Sequence, residues 1–183
     1  TYTTDHGAVY AIQKENFSLE LPHKKVLFDG VFNAIHGSPG EDGKIQAYLE
    51  LLGIPQTACD FYQAALTYNK RDLLSVLKPY GIAMAKSYYL NFGDPINKEA
   101  IIKKVGLPCF VKANRSGSSY GISKVYTSDQ IEAALEIAFK EDKEVIIESA
   151  LVGREVSVGV IQYQGKTKVL PITEILSEND FFD

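Results

Sequence analysis

Tryptophan is absent from this 183-residue sequence, and cysteine is nearly so. The two cysteines, Cys59 and Cys109, are too few for a disulfide-stabilised scaffold, and both stand among apolar residues. They are therefore predicted to be reduced thiols in a cytoplasmic protein. No apolar run reaches the roughly 18 residues of a membrane-spanning helix, so the sequence predicts no membrane segment.

An excess of positive charge is also lacking. Lysine and arginine number 19 against 23 aspartate and glutamate residues, which gives a net charge of −4. This balance provides no basic field for nucleic acid or an anionic membrane, so a nucleotide would have to be held by a few local cations. Neither a Walker phosphate loop nor a Gly-x-Gly-x-x-Gly fingerprint occurs, and there is no CxxC or HExxH motif.

The first part of the chain predicts half of a βαβ unit. Residues 31–35 form an apolar run of the kind that a buried parallel strand shows, and the polar glycine-rich turn 36–43 follows it. Residues 45–52 have helical spacing, and Gly53 ends that helix. Because ligands of open α/β sheets lie at the carboxyl ends of the strands, the turn 36–43 is a candidate ligand site.

The second part predicts a different architecture. A helix is expected over residues 66–77, and from residue 80 the elements follow the order β-α-β-β-α-β-β-β, with Ser128 as the N-cap of the second helix of that series. This order indicates an α+β, lid-like domain with a mostly antiparallel sheet. The fold class is therefore α/β and α+β: a partial parallel-sheet domain followed by a small lid domain.

The most distinctive stretch is a loop of small residues between two predicted strands. Lys112 ends the first strand, and the loop then contains Ser116, Gly117, Ser118, Ser119 and Gly121. Such residues leave backbone N–H groups open to an anion, and a half-buried lysine beside them would make a phosphate clamp. The alternative is a simple hairpin connection with a lysine on its edge.

Other candidates are weak one by one. Lys70, at the start of a helix, would add a second cation, and Glu148 or Glu155 would bond an adenine amino group or a ribose diol. His36 would orient a small anionic substrate, although a lone histidine in a turn is often incidental. Glu41 and Asp42 would hold a metal, or Asp42 would cap the next helix.

Taken in order, these motifs resemble those of the D-alanine–D-alanine ligases of the ATP-grasp superfamily. The resemblance rests on His-Gly-Ser-Pro-Gly-Glu-Asp-Gly at 36–43, Asn-Lys at 69–70, Phe-Val-Lys-Ala-Asn-Arg-Ser-Gly-Ser-Ser-Tyr-Gly at 110–121, Ile-Ile-Glu at 146–148 and Gly-Arg-Glu at 153–155. It covers nearly the whole chain from about residue 26. The first motif is specific to these ligases, whereas the lysine and serine loop is shared across ATP-grasp enzymes.

The resemblance implies a role for each candidate residue. Lys70 and Lys112 would bind the phosphates of ATP, the loop 116–121 would close over them, and Ser118 and His36 would position the first D-alanine. The chain around Glu148, Ser149, Ala150 and Leu151 would contact adenine, and Glu155 the ribose. The implied reaction phosphorylates one D-alanine and joins it to a second, giving the dipeptide for peptidoglycan. A cytoplasmic homodimer that uses ATP and Mg²⁺ is implied as well.

The resemblance also implies a division of the chain. Residues 1–65 would be a remnant of the N-terminal substrate-side domain, 66–176 the ATP-binding lid and 177–183 the start of a catalytic subdomain. The Mg²⁺ ligands and several catalytic residues are expected beyond residue 183, so the 183 residues alone are expected to be inactive. Ala113 stands where many members have proline. The alternatives are another ATP-grasp carboxylate–amine ligase, a D-alanine–D-lactate ligase, or a non-catalytic nucleotide-binding module.

Overall fold

The computed structural model of the chain describes residues 1–176. It divides into two compact units, Thr1–Ile82 and a second that begins at Ala83. No helix among the described residues is long and apolar enough to cross a membrane. The functional division expected at residues 65 and 66 stays a prediction, and residues 177–183, expected to begin a further subdomain, lie outside the described residues.

The first unit contains short antiparallel strands followed by three helices. Its elements are β1 (Tyr2–Thr3), β2 (Val9–Tyr10), β3 (Ile12–Gln13), β4 (Ser18–Leu21), β5 (Lys24–Val26), α1 (Lys44–Leu51), α2 (Phe61–Tyr68) and α3 (Lys70–Leu77). Strands β1 and β2 pair with each other, and β3, β4 and β5 form a second small sheet. The predicted helix at 45–52 is thus confirmed as α1, which closes at Gly53.

The buried parallel strand predicted at residues 31–35 is wrong. Val31 makes a single parallel bridge with Gln56, and the neighbouring Phe32 is 81% exposed. A central parallel strand gains its burial and its hydrogen bonds from strands on both sides. Among residues 1–82, the segment has only this one bridge, so its apolar side chains stay open to solvent.

The helix predicted over residues 66–77 is two helices, because Asn69 interrupts it. Asn69 has extended backbone angles, ends α2, and caps α3 by accepting a hydrogen bond from the Asp72 N–H. Asparagine favours such N-cap positions since its side chain replaces a missing backbone partner. Lys70 is therefore the first residue of α3, as expected from the sequence.

The second unit follows the predicted order of strands and helices. Its elements are β6 (Ser87–Asn91), α4 (Lys98–Val105), β7 (Cys109–Ala113), β8 (Ile122–Val125), α5 (Ile131–Glu141), β9 (Glu144–Ser149), β10 (Glu155–Tyr163) and β11 (Lys166–Ile175). Four strands form an antiparallel sheet in the order β6-β9-β7-β8. The α+β interpretation with a mostly antiparallel sheet is confirmed.

The core of the second unit lies between this sheet and the helices α4 and α5. Ile101, Leu135, Val111 and Ile147 are fully buried there. The helix α5 is preceded by a short 3₁₀ turn whose N-cap is Thr127 rather than the predicted Ser128, because Thr127 forms a capping box with Gln130. The strands β10 and β11 form a separate hairpin whose residues are mostly exposed.

Candidate active site

The strand β7 presents one face to the core and the other to the candidate site. Its side chains alternate between buried and half-buried, so Cys109, Val111 and Ala113 pack inward while Phe110 and Lys112 lie on the opposite face. Antiparallel pairing with β8 closes a hairpin whose connection contains the serine loop, residues 115–121. The predicted hairpin is thus confirmed, with Lys112 at the end of its first strand.

The backbone of the serine loop is arranged like an anion-binding turn. Ser118 and Ser119 both have positive φ, at 48° and 58°. The N–H groups of Gly117 and Ser118 have no hydrogen-bond partner among the described residues, while the Gly117 carbonyl accepts from Tyr120. Successive N–H groups in such a turn form a concave site for an anion. The loop can therefore accept phosphate oxygens with its main chain.

Lys112 is held in place by Glu148 on the neighbouring strand. The Lys112 Nζ lies 2.9 Å from Glu148 Oε2, and both side chains are largely buried. Glu148 is opposite Phe110 in the register of β7 and β9, so Lys112 is its diagonal neighbour on the same face. Sequence reasoning named both residues but did not pair them, since they are 36 positions apart.

We expect Glu148→Gln to lower the free energy of unfolding of the chain by about 1–2 kcal/mol, because a largely buried ammonium group loses its countercharge. Chemical denaturation of the 183-residue chain measures this change. Glu132→Gln is the matched control, since Glu132 pairs with Lys98 in an exposed ion pair and such pairs contribute little. Equal losses in the two variants would contradict a special role for the buried pair.

The end of β9 contains the residues expected to contact adenine. The Ser149 N–H donates to the Lys86 carbonyl and the Ala150 N–H to the Pro108 carbonyl. Leu151 is exposed, and its N–H has no partner among the described residues. Of these three residues, Leu151 thus keeps a backbone donor for a ligand, and Glu155 lies exposed at the start of β10.

The start of the serine loop is fixed by charged residues that sequence reasoning missed. Arg115 forms a bidentate ion pair with Asp142, which follows α5. Burial alone would raise the pKa of Asp142, but the hydrogen bonds from Arg115 outweigh it and hold that pKa below its usual value. The two residues are 27 positions apart, and no local pattern in the sequence links them.

The turn 36–43 lines a cavity of the first unit. The cavity has a volume of about 400 Å³, and His36, Glu41 and Cys59 contribute to its wall. Cys59 is exposed, which corrects the apolar setting expected for it, whereas Cys109 is buried and burial raises the pKa of its thiol. The positioning role of His36 stays a prediction.

The two acidic residues of this turn are engaged within it. Glu41 accepts a hydrogen bond from the Gly37 N–H at 2.6 Å, and Asp42 pairs with Lys44. The N-cap of α1 is Gly43, not the Asp42 side chain. Over residues 1–176, no group of three or more His, Cys, Asp or Glu residues is placed to hold a metal ion. The metal interpretation of Glu41 and Asp42 therefore has no support in the described part of the chain.

Two family models match the chain. The one described as "D-ala D-ala ligase N-terminus" matches residues 5–59, and the one described as "D-ala D-ala ligase C-terminus" matches residues 76–183. The chain belongs to the D-alanine–D-alanine ligase family.

Curated relatives agree with this family. A D-alanine–D-alanine ligase of Flavobacterium johnsoniae is 63% identical over 182 residues, and one of Christiangramia forsetii is 60% identical over 179 residues. These alignments cover 100% and 98% of this chain but only 56% and 55% of the relatives. The chain thus spans about half the length of the curated ligases that it matches.

Solved structures of ligases share the fold. D-alanyl-alanine synthetase A from Vibrio cholerae has a TM-score of 0.85 at 31% identity, over 97% of this chain and 54% of that one. VanG D-Ala:D-Ser ligase from Enterococcus faecalis has a TM-score of 0.77 at 33% identity, over 97% and 52%. The predicted ATP-grasp fold is therefore confirmed for this member of the D-alanine–D-alanine ligase family.

Proposed function

We propose that the full-length gene product is an ATP-dependent ligase that joins two D-alanine molecules, and that this chain supplies much of its nucleotide site. The observation that carries the proposal is the placement of Lys112 at the end of β7 directly before a loop with unpartnered N–H groups. An ammonium group and main-chain donors on one hairpin are suited to stabilise the charge of a transferring phosphoryl group.

Each predicted residue has a role in this proposal. Lys112 and Lys70 bind phosphate oxygens, and the loop N–H groups close over them. The backbone at Leu151 meets the adenine edge, while Glu155 receives the ribose hydroxyls. In this proposal the Glu148 carboxylate orients the Lys112 ammonium group and does not contact the adenine base.

The proposed reaction has two steps. A carboxylate oxygen of the first D-alanine attacks the terminal phosphorus of ATP, which gives an acylphosphate and ADP. The amine of the second D-alanine then attacks the acyl carbon, a proton leaves the nitrogen, and inorganic phosphate departs. Ser118 and His36 position the first D-alanine, and the closed loop keeps water from the acylphosphate.

The family implies Mg²⁺ as well, but the described residues do not fit a magnesium site, since they contain no suitable cluster of oxygen ligands. No step is therefore assigned to the metal, and its ligands are proposed to lie beyond residue 183. A cytoplasmic homodimer without nucleic-acid or membrane partners is proposed from the family and from the net charge of −4.

The test is a coupled phosphate-release assay on the full-length gene product with ATP, Mg²⁺ and D-alanine. Release that depends on D-alanine, with the dipeptide detected by mass spectrometry, supports the proposal. Offering D-serine or D-lactate beside D-alanine decides the second substrate, since one structural relative is a D-Ala:D-Ser ligase. Binding of ATP without release would instead favour a nucleotide-binding module. The 183-residue chain alone is expected to show no turnover.

A further inference from the structure

Both ends of the serine loop lie at the C-terminal end of α5. At the first end, the Arg115 backbone N–H donates to Asp142 Oδ2 at 2.8 Å. The Arg115 guanidinium contacts both carboxylate oxygens of Asp142, with Nε to Oδ2 at 2.9 Å and Nη2 to Oδ1 at 2.8 Å. One carboxylate thus fixes the main chain and the side chain of the first loop residue.

Contacts with Glu144, the first residue of β9, further fix the start of the loop. Asn114, which is fully buried, donates through Nδ2 to Glu144 Oε2 at 2.8 Å and through its backbone N–H to the Glu144 carbonyl at 2.9 Å. The Arg115 Nη2 lies 3.5 Å from Glu144 Oε1. The residue before the loop, which directly follows β7, is therefore fixed to the first residue of β9, and the loop begins at a defined position.

The other end of the loop rests on the neighbouring residue of α5. Gly121 has a positive φ of 69°, and a Cβ atom placed there would lie 2.8 Å from Glu141 Cγ. The Gly121 carbonyl also accepts from the Ala113 N–H at 3.2 Å. Only a glycine lets the chain pass this close to the helix end while it turns back into β8.

We propose that Arg115 and Asp142 are positioning residues: they hold the first hinge of the serine loop on the end of α5, so that its N–H groups meet the phosphates of ATP in one fixed register. The proposal rests on the nucleotide-binding role proposed above. A loop that closes over phosphates needs fixed end points, because a displacement of about 1 Å in a positioning group can lower the catalytic rate on the order of 100-fold.

The Arg115–Asp142 pair differs from the Lys98–Glu132 pair at the start of α5. The Asp142 side chain is 7% exposed and takes part in a bidentate contact, whereas Glu132, on the first turn of the same helix, is 58% exposed in its pair with Lys98. Bidentate arginine–carboxylate contacts fix geometry as well as charge. Arg115 therefore determines where the loop starts, which an exposed pair would not do.

The experiment compares Asp142→Asn and Arg115→Ala with the control Glu132→Gln in the full-length gene product. Amide hydrogen exchange without nucleotide reports on the loop, and steady-state kinetics give KM for ATP and for D-alanine. In both hinge variants we expect the backbone amide at position 115 to exchange about tenfold faster and KM for ATP to rise about tenfold, from the loss of a charge-assisted contact. KM for D-alanine should stay near wild type.

The readouts separate this proposal from the proposed function. If both hinge variants fold and keep wild-type amide exchange and KM for ATP, the positioning role is overturned. If Asp142→Asn lowers the thermal midpoint and Arg115→Ala does not, the result for Arg115→Ala decides. The Arg115 side chain is 44% exposed, so its removal disturbs the packing less. If the wild-type protein releases no phosphate, the proposed function fails, whereas faster exchange at position 115 still supports the hinge and unchanged exchange still overturns it.

Discussion

Lys112→Met in the full-length gene product is expected to lower D-alanine-dependent phosphate release at least about 100-fold, because one positioned charge on a transferring group contributes on the order of 3 kcal/mol. Lys112 is suited to this effect because its Nζ lies 2.9 Å from Glu148 Oε2, and this ion pair fixes the ammonium group on the face of the sheet that carries the candidate site. Methionine keeps most of the unbranched apolar side chain and removes the ammonium group with its charge and N–H donors. Single-turnover phosphate release measures the loss directly.

The control for this variant is Lys103→Met, which removes a lysine charge from the exposed side of α4. It should leave phosphate release unchanged, because α4 packs against the opposite face of the sheet from Lys112. If Lys112→Met keeps more than about a tenth of the wild-type rate while the protein remains folded, Lys112 does not stabilise the transferring phosphoryl group.

The local parts of the fold could be predicted from the sequence because their signals are local. The first helix of the order predicted from residue 80 is observed as α4, Lys98–Val105, since Asn97 caps it and Gly106 ends it. The serine hairpin is likewise set by β-branched residues on either side of a Gly/Ser turn. Motif order was enough to name the family, which the two matching models confirm.

What could not be predicted depends on partners far away in the sequence. An apolar run such as residues 31–35 becomes a strand only where neighbouring strands pair with it, and the periodicity of the sequence does not show which segments pair. The break at Asn69 has a local cause instead: the apolar residues on both sides have helical spacing, but the Asn69 side chain caps α3 and so ends one helix and begins the next. The Lys112–Glu148 pair was missed because the register of β7 and β9, not spacing along the chain, brings it together. The Arg115–Asp142 pair was missed because it forms only where the start of the loop packs on the end of α5.

The turn before α1 gives the largest expected effect on stability. Gly43→Ala should lower the free energy of unfolding by about 4 kcal/mol, near the upper end for single substitutions. Gly43 has a φ of 88°, and an added Cβ would lie within van der Waals overlap of the Phe61 carbonyl oxygen. Backbone atoms of α2 cannot move aside as a flexible side chain can, so α1 and α2 would have to separate. Chemical denaturation of the 183-residue chain measures the loss.

Gly53→Ala is the matched control, because it separates backbone strain from the clash. Gly53 lies just after α1 with a φ of 67°, and nothing lies within 4 Å of an added Cβ. It should therefore cost only the left-handed strain of about 1–2 kcal/mol. The difference between the two variants then measures how tightly the turn 36–43 is packed on α2. Equal losses would mean that the contact with Phe61 relaxes freely and adds nothing to the backbone strain.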